Sequence, residues 1–145
     1  MKWLTWENVG VDRMASAWLI KRFIDPQAEF VFIPVGQKPY PEDAEPFDIP
    51  GARYSHHRGH CTFYTLLKDY RLKDLALAPI AQIVDEADVV QEAAVEPAAP
   101  GLDLICRGLR RASSLLNSKR RWPRWGRASS RHAPPRRLPR PNSPR

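Results

Sequence analysis

The chain has 145 residues, with 15 Pro, 2 Cys and 23 Lys+Arg against 16 Asp+Glu. That length suits one domain, no stretch approaches the roughly 20 apolar residues of a membrane-spanning helix, and Glu7 stands where a signal peptide would carry its apolar core. Two cysteines 45 positions apart form neither a disulfide framework nor a CxxC pair, so a reducing cytoplasm is the expected location.

The net charge of +7 hides a division. Residues 1–106 hold 10 Lys+Arg and 16 acids, a net of −6, whereas residues 107–145 hold 13 Lys+Arg and no acid, a net of +13. The expected organisation is a folded domain over residues 1–109 and a basic Arg/Pro-rich tail over 110–145. Beyond Leu116 only Trp122, Trp125 and Leu138 are large and apolar. That is too little burial to offset the entropy of ordering, so disorder is expected there. As a natural segment the tail would attract nucleic acid weakly and without sequence preference, through Arg–phosphate contacts. Arg/Pro/Ser-rich text without a single acid is also what a shifted reading frame in GC-rich DNA produces.

In chain order, Trp3–Glu7 reads as a short strand. Asp12 then reads as the N-cap of a helix running to about Ile24, which Asp25-Pro26 closes because proline disfavours helical geometry just before it. Its apolar residues, among them Met14, Ala17, Trp18, Leu19 and Phe23, fall nearly all round the wheel, the pattern of a helix buried at the centre of a fold. Glu29–Ile33 reads as a strand and Gly36–Pro46 as a surface loop. Phe47–Ile49 and Ala52–Ser55 read as two short strands around the turn dipeptide Pro50-Gly51. A second helix is expected from Cys61-Thr62, with Phe63, Leu66, Leu67 and Tyr70 on its apolar face and Cys61 off it. A third spans about Asp74–Asp88, with Pro79 either in its first turn or bending it. The last begins near Pro100 and, lacking an apolar stripe after Leu109, is expected to stop there. The fold class is α+β: a small helix-rich domain with a few short strands.

Reactive side chains concentrate in Ser55-His56-His57-Arg58-Gly59-His60-Cys61, where three of the four histidines and one cysteine lie in seven residues. Imidazole and thiolate suit borderline-soft cations, so His56 and Cys61 are candidate ligands of a divalent metal ion, with carboxylates such as Asp48, Asp85, Glu86 or Asp88 completing the set. The alternative is a solvated polar turn. A thiol at a helix N-terminus beside His60 and Arg58 is expected to have a lowered pKa. Cys106 reads as a packing residue. Arg13, at the positive end of a helix dipole, calls for an anion: either a protein carboxylate such as Asp48 or Asp88, or a bound oxyanion. GxSxG, P-loop, GxGxxG and HExxH signatures are absent from the sequence.

The run Val11-Asp12-Arg13-Met14-Ala15-Ser16-Ala17-Trp18-Leu19-Ile20-Lys21-Arg22-Phe23-Ile24-Asp25-Pro26 resembles the DRxASAWLIRRFIDP signature of the chromate-resistance protein family. Three further blocks follow in order: Phe47-Asp48-Ile49 with His56 and Cys61-Thr62-Phe63, then Ile80–Val84 with Asp88, then Pro100-Gly101-Leu102 to Gly108-Leu109. They cover about residues 1–109 and resemble the C-terminal domain of the chromate-responsive regulator, a domain that also occurs alone. At Asp85, where members often carry His or Arg, this chain has a carboxylate. The resemblance implies a part in chromate resistance as a sensor or auxiliary protein. Arg13 and Asp12, Asp48 and Asp88 would then serve as ligand-binding residues, and chromate or a metal ion as the ligand. Two other readings remain: a chromate-handling enzyme working through the Cys61 thiol, and a nucleic-acid-binding protein working through the tail.

Overall fold

The computed structural model describes residues 1–89 and 95–119, with side chains to 113. The elements are β1 (Lys2–Trp6), α1 (Val11–Leu19) continued by a π-helical turn (Ile20–Ile24), β2 (Glu29–Ile33), β3 (Ala44–Pro46), α2 (Thr62–Asp69), α3 (Leu77–Asp88) and α4 (Ala99–Lys119). The sheet is parallel, in the order β2-β1-β3. Its middle strand is accordingly the most buried: Trp3, Leu4 and Thr5 are all inaccessible. On one side of the sheet Trp3 packs with Phe47 and with Phe63, Leu66 and Val84 of the helices in the main core, and a smaller cluster holds Leu4, Ile33, Ile49 and Ala52.

The α+β class is as read from the sequence, with four corrections. The third strand lies at Ala44–Pro46, inside the expected loop, and the expected pair around Pro50-Gly51 reduces to one bridge between Phe47 and Tyr54. The reason is local: Asp48 adopts the left-handed conformation, φ 51°. That bends the chain away after Phe47 donates its N–H to the Leu4 carbonyl. Second, α1 starts at Val11, with Gly10 in the capping position and no side-chain cap. Asp12 lies inside the first turn and its carboxylate serves another helix.

Third, α1 is not buried all round. It packs on α2, α3 and α4, yet its inward face carries Asp12, Arg13 and Ser16 beside Val11 and Leu19, while Trp18 is 45% exposed and stacks on Phe63. Fourth, the last helix does not stop at Leu109 but runs to Lys119. Nothing from Leu109 to Lys119 is Gly or Pro, Arg107 pairs with Asp103 one turn back at 2.7 Å, and such a stretch propagates a helix without an apolar stripe. Pro79 sits in the first turn of α3, where its missing N–H has no helical partner to lose. The rest of the expected tail, 120–145, with its nucleic-acid reading, lies outside the described residues. Among those described, no helix is long and apolar enough to cross a membrane.

Candidate functional site

The site is organised around the N-terminus of α2, whose first N–H groups have no partners within the helix. Two buried carboxylates from other helices take them. Asp12 of α1 accepts the Thr62 N–H on Oδ2 at 2.7 Å and the Phe63 N–H on Oδ1 at 2.8 Å. Asp85 of α3 accepts the Cys61 N–H on Oδ1 at 2.6 Å, and its Oδ2 holds His60 Nδ1 at 2.8 Å. The Tyr64 N–H faces the Cys61 sulfur. Ser16 Oγ donates to Asp12 Oδ1 at 3.1 Å, which explains a buried serine on the inward face of α1.

Arg13 is equally committed. Its Nη1 donates to the carbonyl and side-chain oxygens of Asn8, both at 2.8 Å, and Nη2 to the carbonyl of Asp48. Nε lies 2.8 Å from Asp48 Oδ2 but without hydrogen-bond alignment, so that contact is an ion pair rather than a directed bond. Of the two answers open for Arg13, the structure gives the protein carboxylate. Asp48 is thereby clamped in its left-handed conformation, with its N–H given to the Tyr54 carbonyl at 2.7 Å.

The clamp turns the other carboxylate oxygen of Asp48 inward, where Oδ1 accepts the Thr62 hydroxyl at 2.9 Å. That oxygen is 3.6 Å from His56 Nε2. Asp12 Oδ2 is 3.1 Å and Asp88 Oδ2 3.2 Å from the same nitrogen. Three carboxylates from three parts of the chain thus converge on one ring nitrogen, whose side chain is half exposed. Asp12, Asp48 and His56 each offer a ligand atom within 4.8 Å of the other two.

The electrostatics follow from this crowding. Burial alone would raise the Asp12 carboxyl, but the hydrogen bond with His56 and the Phe63 and Thr62 N–H groups outweigh it and hold it below the usual range. Asp48 goes the other way. Burial raises it, helped by repulsion from Asp12, against the pull of His56, Arg13 and the Thr62 hydroxyl. The carboxylates of Asp12, Asp48 and Asp88, in that order, push His56 up to about 12, so with no other cation present it is an imidazolium.

Cys61 corrects the sequence reading twice. The residue is fully buried rather than turned off the apolar face. Its thiol is pushed up, by burial first and then by Asp12 and Asp85, not down. The expected dipole effect is absent because two carboxylates already sit at that helix end. Cys61 also stands outside the group that Asp12, Asp48 and His56 form, and Asp88 approaches the same His56 nitrogen. Asp85, which the sequence reading offered only as one of several carboxylates that could complete a metal set, instead accepts the Cys61 N–H and holds His60.

Comparison with known proteins gives one consistent result. The family model of the ChrB C-terminal domain matches residues 3–119, so the likeness runs ten residues beyond Leu109, where the motif resemblance ended. The protein ChrB of Cupriavidus metallidurans is 36% identical over 110 residues, which cover 75% of this chain and 33% of that relative. The chain therefore spans about one third of the length of the curated relative it matches. No solved structure matches.

Proposed function

This chain belongs to the ChrB C-terminal-domain family of chromate-resistance proteins, and from that premise we propose that it acts there by holding a divalent first-row metal ion. The ligands are Asp12, Asp48 and His56 Nε2, with Asp88 Oδ2 adding negative charge beside that nitrogen. The observation that carries this is the convergence of three carboxylate oxygens on that nitrogen at 3.1, 3.2 and 3.6 Å. Atoms bound about 2.1 Å from a metal lie about 3.0 Å apart along an octahedral edge and about 3.4 Å apart in a tetrahedron. One N–H cannot serve three carboxylates, whereas one cation can. One imidazole with two carboxylates suits Zn2+ or Mn2+ better than a thiophilic ion.

The same geometry disfavours a tetrahedral oxyanion at this place. Every free N–H at the start of α2 already faces a carboxylate or the Cys61 sulfur, Arg13 is spent on Asn8 and Asp48, and the surrounding acids repel a dianion. An enzyme working through the Cys61 thiolate is disfavoured too, because burial and two carboxylates keep that thiol protonated.

The test is metal analysis of the purified full chain, followed by calorimetric titration with Zn2+ and Mn2+. One ion per chain is expected. Asp88→Asn and His56→Ala should each lower affinity at least tenfold, and Cys61→Ser should leave it unchanged. A folded protein that binds neither ion, or that binds equally in all three variants, refutes the site.

A further inference from the structure

The turn that carries His56 has a second flank with the opposite charge. There a pocket of about 420 Å³ is lined by Arg53, Arg58, Lys68, His57, His60 and Tyr64, together with Thr65 and Asp69. We propose that this pocket binds the tetrahedral oxyanion group of a small ligand, held by Arg53, Arg58 and Lys68.

Three observations support the assignment. The first is charge without a counter-ion: among the described residues, none of these three cations makes an ion pair. Arg53 only lies over the Tyr54 ring, with Cζ 5.1 Å from its centre. Asp69 is the single acid in the lining, against three permanent cations. A cluster of this kind suits a doubly charged anion, which accepts from several donors at once.

The second is the backbone of Arg58. His57 and His60 exchange both backbone hydrogen bonds, at 3.1 and 3.0 Å. Between them Arg58 and Gly59 both have positive φ, 54° and 83°. That two-residue turn favours Asn, Asp or Gly at its first position, and a long side chain in the left-handed region is uncommon there. The turn keeps an unfavourable residue whose guanidinium lines the pocket, and strained positions of this kind cluster at binding sites.

The third is rigidity. The His57 ring is tied to the Arg53 carbonyl at 3.0 Å, and His60 is held by Asp85 and stacked on Tyr64 with centroids 4.3 Å apart. Two side chains of the lining are thus held in place before any ligand arrives, which lowers the cost of binding. The volume exceeds that of a free oxyanion, leaving room for the organic part of a phosphate ester.

The test titrates the full chain with sulfate by calorimetry, at ionic strength held constant with chloride, and repeats the titration with adenosine monophosphate. Arg58→Asn and Lys68→Gln should each weaken binding at least tenfold. Because Asn suits the turn better, Arg58→Asn should keep or raise the thermal midpoint, which separates lost binding from lost fold. If sulfate binds, the ligand is a free oxyanion. If only the ester binds, with the same losses in the variants, the oxyanion is carried on an organic molecule. The proposal is overturned if neither probe binds, if both variants bind as well as the wild type, or if chloride reproduces the heat. His56→Ala and Asp88→Asn should leave sulfate binding unchanged, so this pocket and the cation site stand or fall separately.

Discussion

Replacing Asp12 by Asn keeps the shape of the side chain and removes only its charge and half its accepting capacity. In the wild type both oxygens are used by backbone donors, Thr62 N–H at 2.7 Å and Phe63 N–H at 2.8 Å. An amide can face only one of them with oxygen, so the other buried N–H meets an NH2 group. A hydrogen bond to a charged group is worth about 1.5–3 kcal/mol, and a buried donor left unsatisfied costs about 1–3 kcal/mol. Some of this is recovered because burying a neutral amide costs less than burying a carboxylate. The net loss should be about 2–4 kcal/mol. For a domain of about this size, each kcal/mol moves the thermal midpoint by about 4 °C, so a fall of about 8–16 °C is expected. Circular dichroism melts of the full chain measure it without added metal. Asp88→Asn is the internal control: among the described residues the one charged partner of Asp88 is the half-exposed His56 ring, so its change should move the midpoint by no more than about 2 °C. If Asp12→Asn proves as harmless as Asp88→Asn, the two-oxygen cap of α2 is not what holds this helix.

Four other outcomes follow from the same geometry. Unfolded His56 titrates near pH 6.5 and the folded group near pH 12, so the stabilisation it brings is complete below about pH 6.5 and fades as pH rises toward 12. The gap in urea midpoint between wild type and His56→Ala should therefore shrink from about pH 6 to about pH 9, and a gap that widens would contradict the assignment. Arg13→Lys, which loses the forked contacts to Asn8 and Asp48, should cost about 2–4 kcal/mol in urea unfolding; a loss under about 0.5 kcal/mol would show that the clamp on Asp48 is dispensable. Both cysteines are buried and their thiols pushed up, so iodoacetamide at neutral pH should label neither until denaturant is added. Fast labelling of Cys61 in the native protein would reverse the reading of its environment. Gly59→Ala places a side chain at φ 83° and should lower the thermal midpoint by about 4–8 °C, a cost of about 1–2 kcal/mol, whereas an unchanged midpoint would mean the turn relaxes freely.

The sequence told most where physics is local. The strand Glu29–Ile33, the start of α2 at Cys61-Thr62 and the end of α3 at Asp88 lie where the sequence reading put them. Arg13 at a helix start correctly demanded an anion, and Asp48 was among the carboxylates considered. What could not be read were partnerships across the fold. Asp12 has the residue type of an N-cap and acts as one, but for a helix fifty residues downstream rather than its own. Asp48 breaks a strand that its apolar neighbours favour, because Arg13 and the Tyr54 carbonyl hold it in the left-handed conformation. The Cys61 thiol was misjudged for the same reason: the helix end it occupies had already been neutralised by acids distant in sequence.

The cap of α2 also sets an order of events during folding. Eight residues are too few for a helix that persists alone in water, and the groups that complete its first turn lie 50 and 51 residues upstream and 24 downstream. Chain closure over those distances carries an entropic cost that must be met before the cap forms. α2 therefore has no route to stability as a local nucleus. It is completed only when α1 and α3 have both arrived, and a nascent chain that ends before Asp85 would hold residues 61–69 as coil. In the finished protein the amide hydrogens of Cys61, Thr62 and Phe63 should exchange with solvent only through global unfolding, as slowly as those of the central strand.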